Sequence, residues 1–363
     1  MKIGMQTYKI ESKPSIEYTS SIVGPKEMQG PLKDYYDTHI DDVWDNEKSF
    51  EKCESKMLKT VITNLLDKAN LKDEDVDIIL SGDLLNQCIS SDFAIRSFKT
   101  PFLGLFGACS TFCEGMLIAS MLLESKLVNQ VICSASSHFC SAERQFRMPL
   151  EHGNQRSTTS QATVTGAGAV LVKNNGNSKT KITYVTPGKV QDLGVKDMAN
   201  MGAAMAPAAF NTIAQHLIDT GRDINYYDAI ITGDLGTHGS QMLIELFKKQ
   251  DVDITEKHID CGSIVYDLET QDVNCGGSGC GCIASVFSSY LYQKLQNKEF
   301  NKILLVATGA LMSPISSGQG ETIPSIAHAV AIENEVWYGY SYWIFKSIYN
   351  WWPNMYSRSN FNR

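Results

Sequence analysis

The chain has 363 residues, 43% of them hydrophobic, which suffices for one large or two coupled domains around a substantial core. It carries 32 Lys and Arg against 40 Asp and Glu, a formal net charge of −8, and no long basic cluster. That balance argues against nucleic acid as a partner. Its ten cysteines, spread over so long a chain, read as reduced thiols and not as a disulfide framework.

The opening stretch, MKIGMQTYKIESKP, lacks the apolar centre of a signal peptide, so the expectation is a protein that stays inside the cell. The first clear strand is VDIILSGDL (76–84), a short β-branched run ending in Gly-Asp. It leads to FLGLFGACSTFCEGMLIASMLL (102–123), a glycine-opened helical stretch with Glu114 as its one charge, and then to a strand-like VNQVICSASS (128–137). The order recurs in the second half. YDAIITGDL (227–235) is followed by the uncharged NCGGSGCGCIASVFSSYLYQ (274–293) and then by NKILLVATGA (301–310).

Strand, glycine turn, helix and strand, occurring twice, predict two βαβ units with parallel pairing. A helix apolar on nearly every side must be buried on every side. Neither stretch is a clean run of about 18–20 apolar residues, so a membrane span is rejected. Two such helices between two sheets give an α/β architecture of five layers, αβαβα. Between the repeats, MAPAAFNTIAQHL (205–217) reads as a core or cleft-lining helix with Pro207 near its start.

The candidate nucleophile is Cys109, at the glycine turn that opens the first apolar helix. A thiol there sees free backbone N–H groups and the positive end of the helix dipole, both of which favour the thiolate. The alternatives are a small buried packing residue, since free Cys is among the most buried residue types, or a thiol that lines a pocket and touches a ligand. Cys275, Cys280 and Cys282 are closely spaced, but C-x4-C-x-C is not a usual zinc spacing, so no metal site is expected.

The duplicated half, the buried helix in each half and the placed cysteine resemble the thiolase-like superfamily, which includes the ketoacyl synthases. More specifically, the chain resembles the stage V sporulation protein AD family over about residues 1–333. The strings that carry this are VGPKEMQGPL (23–32), SGDLLNQ (81–87), LFGACST (105–111), SSHFCSAERQFRMP (136–149), TVTGAGAV (163–170), MGAAMAPAAFNTIAQHL (201–217), GGSGCGC (276–282) and VATGALMSP (306–314). The resemblance implies a thiolase-like duplicated αβαβα fold with halves at 1–175 and 176–333, and a homodimer. It also implies binding of dipicolinic acid, with or without calcium, in sporulation and germination. The partners would be membrane channel proteins, and the place the forespore or spore, peripheral to its inner membrane. No cofactor is expected.

Condensing enzymes of the superfamily pair the cysteine with His/His or His/Asn from the second half. Here the corresponding turn reads TGDLGTHG, with Asp234 at the strand end and His238 four residues on, and Asn274 is out of register with the GGSGCGC turn. The expectation is therefore no catalysis, with an acyl transferase using Cys109 and a purely structural scaffold as the competing readings. A buried dicarboxylate needs charge-assisted donors. The candidate ligand residues are Cys109, His138, Arg144, Arg147, Gly277 and Ser278, with Asp83 either capping its turn or meeting a bridging calcium. Arg144 and Arg147 could instead lie on a solvated or dimer-facing loop.

From residue 334 onward the resemblance stops. NEVWYGYSYWIFKSIYNWWPNMYSRSNFNR holds four of the five tryptophans and no clean amphipathic stripe. Its composition fits an AT-rich gene read one frame off, so 334–363 is expected to be disordered and without family function.

Overall fold

The computed structural model describes residues 1–146 and 156–335, so Arg147 and nearly all of the aromatic tail lie outside the described residues. The strands are β1 (Tyr8–Lys9), β2 (Ser15–Val23), β3 (Thr38–His39), β4 (Ile78–Gly82), β5 (Phe102–Gly104), β6 (Gln130–Ser137) and β7 (Ala162–Thr163). They continue with β8 (Gly166–Lys173), β9 (Thr180–Thr186), β10 (Ala229–Thr232), β11 (His258–Asp260), β12 (Gly277–Ser278), β13 (Lys302–Ala310) and β14 (Ser325–Asn334). The α-helices are α1 (Phe50–Ala69), α2 (Ile89–Ile95), α3 (Thr111–Glu124), α4 (Phe139–Phe146) and α5 (Met201–Thr220), followed by α6 (Gly236–Lys248), α7 (Cys261–Ile264), α8 (Cys280–Val286), α9 (Tyr292–Gln296) and α10 (Pro314–Gly318).

Two half-sheets mirror each other in order. The first runs β5-β4-β6-β8-β2 and the second β11-β10-β13-β14-β9, and they meet where Ser15 of β2 pairs with Lys181 of β9. Both predicted βαβ units are present. β4 pairs β6 in parallel with Ile79 opposite Ile132, and β10 pairs β13 in parallel with Ile231 opposite Leu305. The two remaining long strands of each half, β8 and β2 or β14 and β9, are antiparallel. The strand-helix alternation could not reveal them, because antiparallel neighbours need no crossover helix between them.

Layering follows burial. α1 carries Met57, Leu58, Val61, Ile62 and Leu65 at helical spacing and lays them on the outer face of the first half-sheet. Its start is capped by Ser49, which accepts the Lys52 N–H, and its end turns through left-handed Asn70. α5 and α6 cover the outer face of the second half-sheet. α3 and the helix from Cys280 to Gln296, which passes through one π-turn at Phe287–Leu291, fill the middle. α3 packs on strands of both halves, β4, β6 and β8 of its own and β13, β14 and β9 of the other, and α8 packs on β6, β8 and β2 of the first half. Phe112 and Phe287, both fully buried, bring them together with ring centroids 5.8 Å apart. This is the five-layer αβαβα arrangement that the repeat implied.

The glycines of TVTGAGAV have a packing reason. A Cβ on Gly168 would stand 2.0 Å from the Ala284 carbonyl oxygen, so β8 and α8 approach backbone to backbone. α5 begins at Met201, a turn before the segment singled out in the sequence, with Asn200 as its cap and Pro207 inside it. No helix among the described residues is long and apolar enough to cross a membrane.

Candidate functional site

The turn before α3 is built by its own short polar side chains. Ser110 Oγ donates to the Gly107 carbonyl, and Thr111 Oγ1 donates to the Ala108 carbonyl at 2.7 Å while accepting the Gly107 N–H. Ala108 sits in the left-handed region with φ 51°, which turns the chain sharply and presents Cys109 at the helix mouth. Cys109 then lines a small cavity with Ala108, Phe106, Glu143 and Thr163 of the first half and Met201, Ser278 and Met312 of the second. The cavity measures about 30 Å³. That space takes a water or two.

The immediate partner of the thiol is an acid. Asp234, buried at the end of β10, accepts the Thr308 hydroxyl at 2.7 Å, the Gly279 N–H at 3.1 Å and the Cys109 thiol. Burial pushes its carboxyl up to about 7, against the lowering effect of those three donors. Burial and the nearby Asp234 charge push the Cys109 thiol well above its ordinary value, outweighing the Gly279 N–H. Burial and the neighbouring carboxyl group both favour the thiol over the thiolate at Cys109.

The other sequence-derived candidates scatter. Ser278 lines the cavity, as expected of the second helix turn. Gly277 pairs with Ala162 in β12, its carbonyl accepts Gln161 Nε2 at 2.8 Å, and it is absent from the cavity lining. His138 is also absent from that lining. Its Nδ1 accepts the Cys140 N–H at 3.2 Å, which leaves Nε2 to donate to the Val43 carbonyl at 2.9 Å, and the ring stacks on Phe50. Burial pulls its pKa down to about 4, so it is a neutral core imidazole under the 41–49 loop.

Asp83 keeps its oxygens within its own turn. It accepts the Leu85 N–H at 2.8 Å and both the N–H and the hydroxyl of Ser91 at 2.7 Å. Of its two expected readings, the geometry is that of a turn cap. Arg144 stands half-exposed on the outer side of α4, paired with Glu51 and over the Phe50 ring. Arg147 lies outside the described residues.

One wall group and one supporting group were missed in the sequence. Glu143, buried in the cavity wall, accepts from Thr163, and Thr308 orients Asp234. The repeat did place Asp234 at a strand end beside the helix turns, which was the usable signal. His238 and Asn274, the nearest stand-ins for catalytic partners, do not line the cavity. His238 is in the first turn of α6, and Asn274 donates to Ser160 Oγ at 2.9 Å. Among the described residues no group of three or more His, Cys, Asp or Glu is placed to hold a metal ion. Cys275, Cys280 and Cys282 each donate to a different backbone carbonyl, of Thr158, Ser136 and Gly233.

Known structures share this architecture. 3-Oxoacyl-[acyl-carrier-protein] synthase III from Aquifex aeolicus is similar with a TM-score of 0.55 at 14% identity, covering 88% of this chain and 99% of its own. Human mitochondrial 3-ketoacyl-CoA thiolase gives 0.55 at 11% identity, covering 90% and 99%. At that identity the likeness is one of fold: thiolase-like. Sequence relatives are more specific. Stage V sporulation protein AD of Bacillus subtilis is 42% identical over 330 residues, 91% of this chain and 97% of that protein. The family described as stage V sporulation protein AD matches residues 4–333, ending where the aromatic tail begins. This chain therefore belongs to the stage V sporulation protein AD family, and its role is in sporulation.

Proposed function

We propose that this sporulation protein is a non-catalytic thiolase-like binder that takes dipicolinic acid, with or without calcium, and serves its movement into and out of the spore together with membrane channel proteins. The observation that carries the non-catalytic part is the pairing of Cys109 with Asp234. An acyl transferase needs a thiolate and a group that gives and takes its proton. A buried carboxyl beside the thiol raises the cost of the thiolate and offers no imidazole for the oxyanion. The acyl-transferase reading keeps only the helix-mouth position of Cys109 in its favour.

The ligand rests on the family resemblance, because likeness of fold alone does not name a ligand. A homodimer fits the edge of the first half-sheet. There β5 leaves one side unpaired among the described strands, and Ile89, Phe93, Leu103 and Phe106 are exposed together near it. Docking against the inner membrane of the spore would then use the channel partners. The test has two arms. Incubation with acetyl-coenzyme A followed by intact-mass measurement should leave Cys109 unmodified, and calorimetry with dipicolinate should show saturable binding. An acyl adduct at Cys109 would reverse the first conclusion, and silence in calorimetry the second.

A further inference from the structure

α5 is apolar on two faces. One, with Met205, Ala209 and Ile213, is buried on the second half-sheet. The other, Phe210, Ala214, Leu217 and Ile218, recurs at helical spacing and looks toward the end of α6, where it walls a recess of about 720 Å³. Phe210 meets the buried Phe247 of α6 edge-on, ring centroids 4.8 Å apart, and Ile218 is 73% exposed. The volume lies within the range of binding sites, roughly 300–1,000 Å³.

Both helices stop in the same way at this recess. Gly221 and Asp251 are left-handed, with φ of 64° and 58°. The next N–H returns to a carbonyl five residues back, Arg222 to Leu217 and Val252 to Phe247, each at 3.1 Å. Two residues after each left-handed position, an aspartate folds the following turn. Asp223 Oδ1 accepts the Asn225 N–H at 2.8 Å, and Asp253 Oδ1 accepts the Thr255 N–H at 2.9 Å. Two carboxylates are thereby fixed at the recess, and exposed Asp251 adds a third. Among the described residues, Oδ2 of Asp223 and of Asp253 and both oxygens of Asp251 take no hydrogen bond. The neighbouring cations are occupied elsewhere. Arg222 gives its guanidinium to Tyr227, Glu333 and Tyr226, and Lys248, which acts on Asp253 from the end of α6, is paired with Glu245.

We infer that this recess is a docking groove for a basic amphipathic segment of a partner protein. Apolar side chains spaced as on one helix face fill the apolar wall, and Lys or Arg side chains beside them meet the three carboxylates. The acidic rim decides against two other occupants. The same face of a second copy would set aspartates against aspartates, and an anionic lipid surface would be repelled. The net charge of −8 favours a basic partner at long range as well. This inference is independent of the dipicolinate reading.

Fluorescence anisotropy on the full chain tests it, with a labelled Leu/Lys peptide of about 14 residues, long enough to hold a helix, as the probe. The peptide should bind saturably, and its Leu/Glu counterpart should not. Asparagine keeps both aspartate-folded turns and tolerates the left-handed position. The triple variant Asp223→Asn, Asp251→Asn and Asp253→Asn should therefore fold normally and bind the peptide at least tenfold more weakly, three exposed ion pairs acting together. Ile218→Asn should cost severalfold through lost apolar contact. Removing three charges from the loop ahead of α1, by Asp41→Asn, Asp42→Asn and Glu47→Gln, should change affinity by less than about twofold, because distant surface charges are screened. Equal weakening by that loop variant would mean that net charge alone attracts the peptide, and the groove assignment would be wrong. Absence of saturable binding to the unmodified chain overturns it as well. So does flotation with phosphatidylserine vesicles that Ile218→Asn abolishes, which would give the groove to lipid. A smaller particle by light scattering for Ile218→Asn would give it to a second copy and overturn it too.

Discussion

Asp83 and Asp234 end equivalent strands in the two halves, and the fold uses them in opposite ways. Asp83 closes its own turn, accepting hydrogen bonds from Leu85 and Ser91. Asp234 ties Gly279 and Thr308 of its own half together and reaches across to Cys109 of the first half. The helix-entry turns differ in the same way. The first is held by its own Ser110 and Thr111, the second by Gly279 pressed against Ser137 of the other half. The first turn is closed by hydrogen bonds of its own residues, although Gly309 of the second half packs against its Gly107 carbonyl, and the second is fastened across the halves. One duplicated pattern therefore yields one rigid turn and one cross-half clasp, and the clasp is what occupies the catalytic position.

The largest expected effect breaks the clasp at Gly279. Its φ of 105° is one that L-residues rarely adopt, and a Cβ there would lie 2.7 Å from Ser137 Oγ. Backbone strain and overpacking together put Gly279→Ala at upwards of about 4 kcal/mol of lost stability. Urea denaturation should show the midpoint falling accordingly, or no folded protein at all. A shift below about 1 kcal/mol would mean that the two halves are not held at this turn.

The next effect is a pH dependence. Asp234 titrates near 7 when folded and near its ordinary 3.8 when unfolded, so the fold prefers its protonated form. The associated stability is fully present below about pH 4 and is lost as pH rises through 7, on the order of 4 kcal/mol in all. Asp234→Asn removes the titration. Relative to that variant, the native chain should lose stability steadily between pH 4.5 and 7.5. Glu54, which burial and the neighbouring Asp83 push up to about 8, titrates in both proteins and cancels. Parallel stability curves for the two proteins would show that Asp234 is not protonated by burial.

Asparagine also separates the two acids directly. At Asp234 a carboxamide can accept the Gly279 N–H and donate to Thr308, whose hydroxyl can turn to receive it, so at neutral pH the cost should stay below about 1 kcal/mol. At Asp83 every partner that can be placed is a donor, and two of them are backbone N–H groups that cannot turn. An NH2 group facing one of them leaves buried donors unpaired, and Asp83→Asn should cost about 2–3 kcal/mol by thermal unfolding. Equal costs would erase the contrast between the two turns.

How much of this was legible depends on which property periodicity encodes. The two βαβ units and the buried middle helices could be read because a helix apolar all round has one possible environment. The helix mouth of Cys109 followed from its glycines. The partners did not follow. His138 and Arg144 are close to Cys109 in sequence order of elements, yet the face each presents depends on where α4 starts. With the helix beginning at Phe139, residues 142, 143 and 146 turn inward and residues 141, 144 and 145 outward. A one-residue shift of that start would rotate the set by about 100°. Spacing alone names the residues and leaves their direction open. Asp234 was visible at its strand end, but its contact with Cys109 is a meeting of halves that lie more than a hundred residues apart, which no local pattern records.

The smallest effect sharpens the contrast from the first half's side. Ala108 occupies a left-handed conformation with φ 51° at the position that turns the chain into Cys109. For an L-residue that geometry costs about 1–2 kcal/mol, which glycine would relieve. Glycine brings its own cost, roughly 0.5–1 kcal/mol of extra freedom in the unfolded chain, and it gives up a buried methyl group that lines the cavity. The two nearly cancel, so Ala108→Gly should move stability by less than about 1 kcal/mol in either direction. The turn survives the change because Ser110 and Thr111, and not the side chain at 108, hold it closed. Stability measured beside Gly279→Ala therefore tests the asymmetry at matched positions. If Ala108→Gly proved as damaging as Gly279→Ala, the first turn would depend on its Cβ contacts across the cleft, and its self-sufficiency would be wrong.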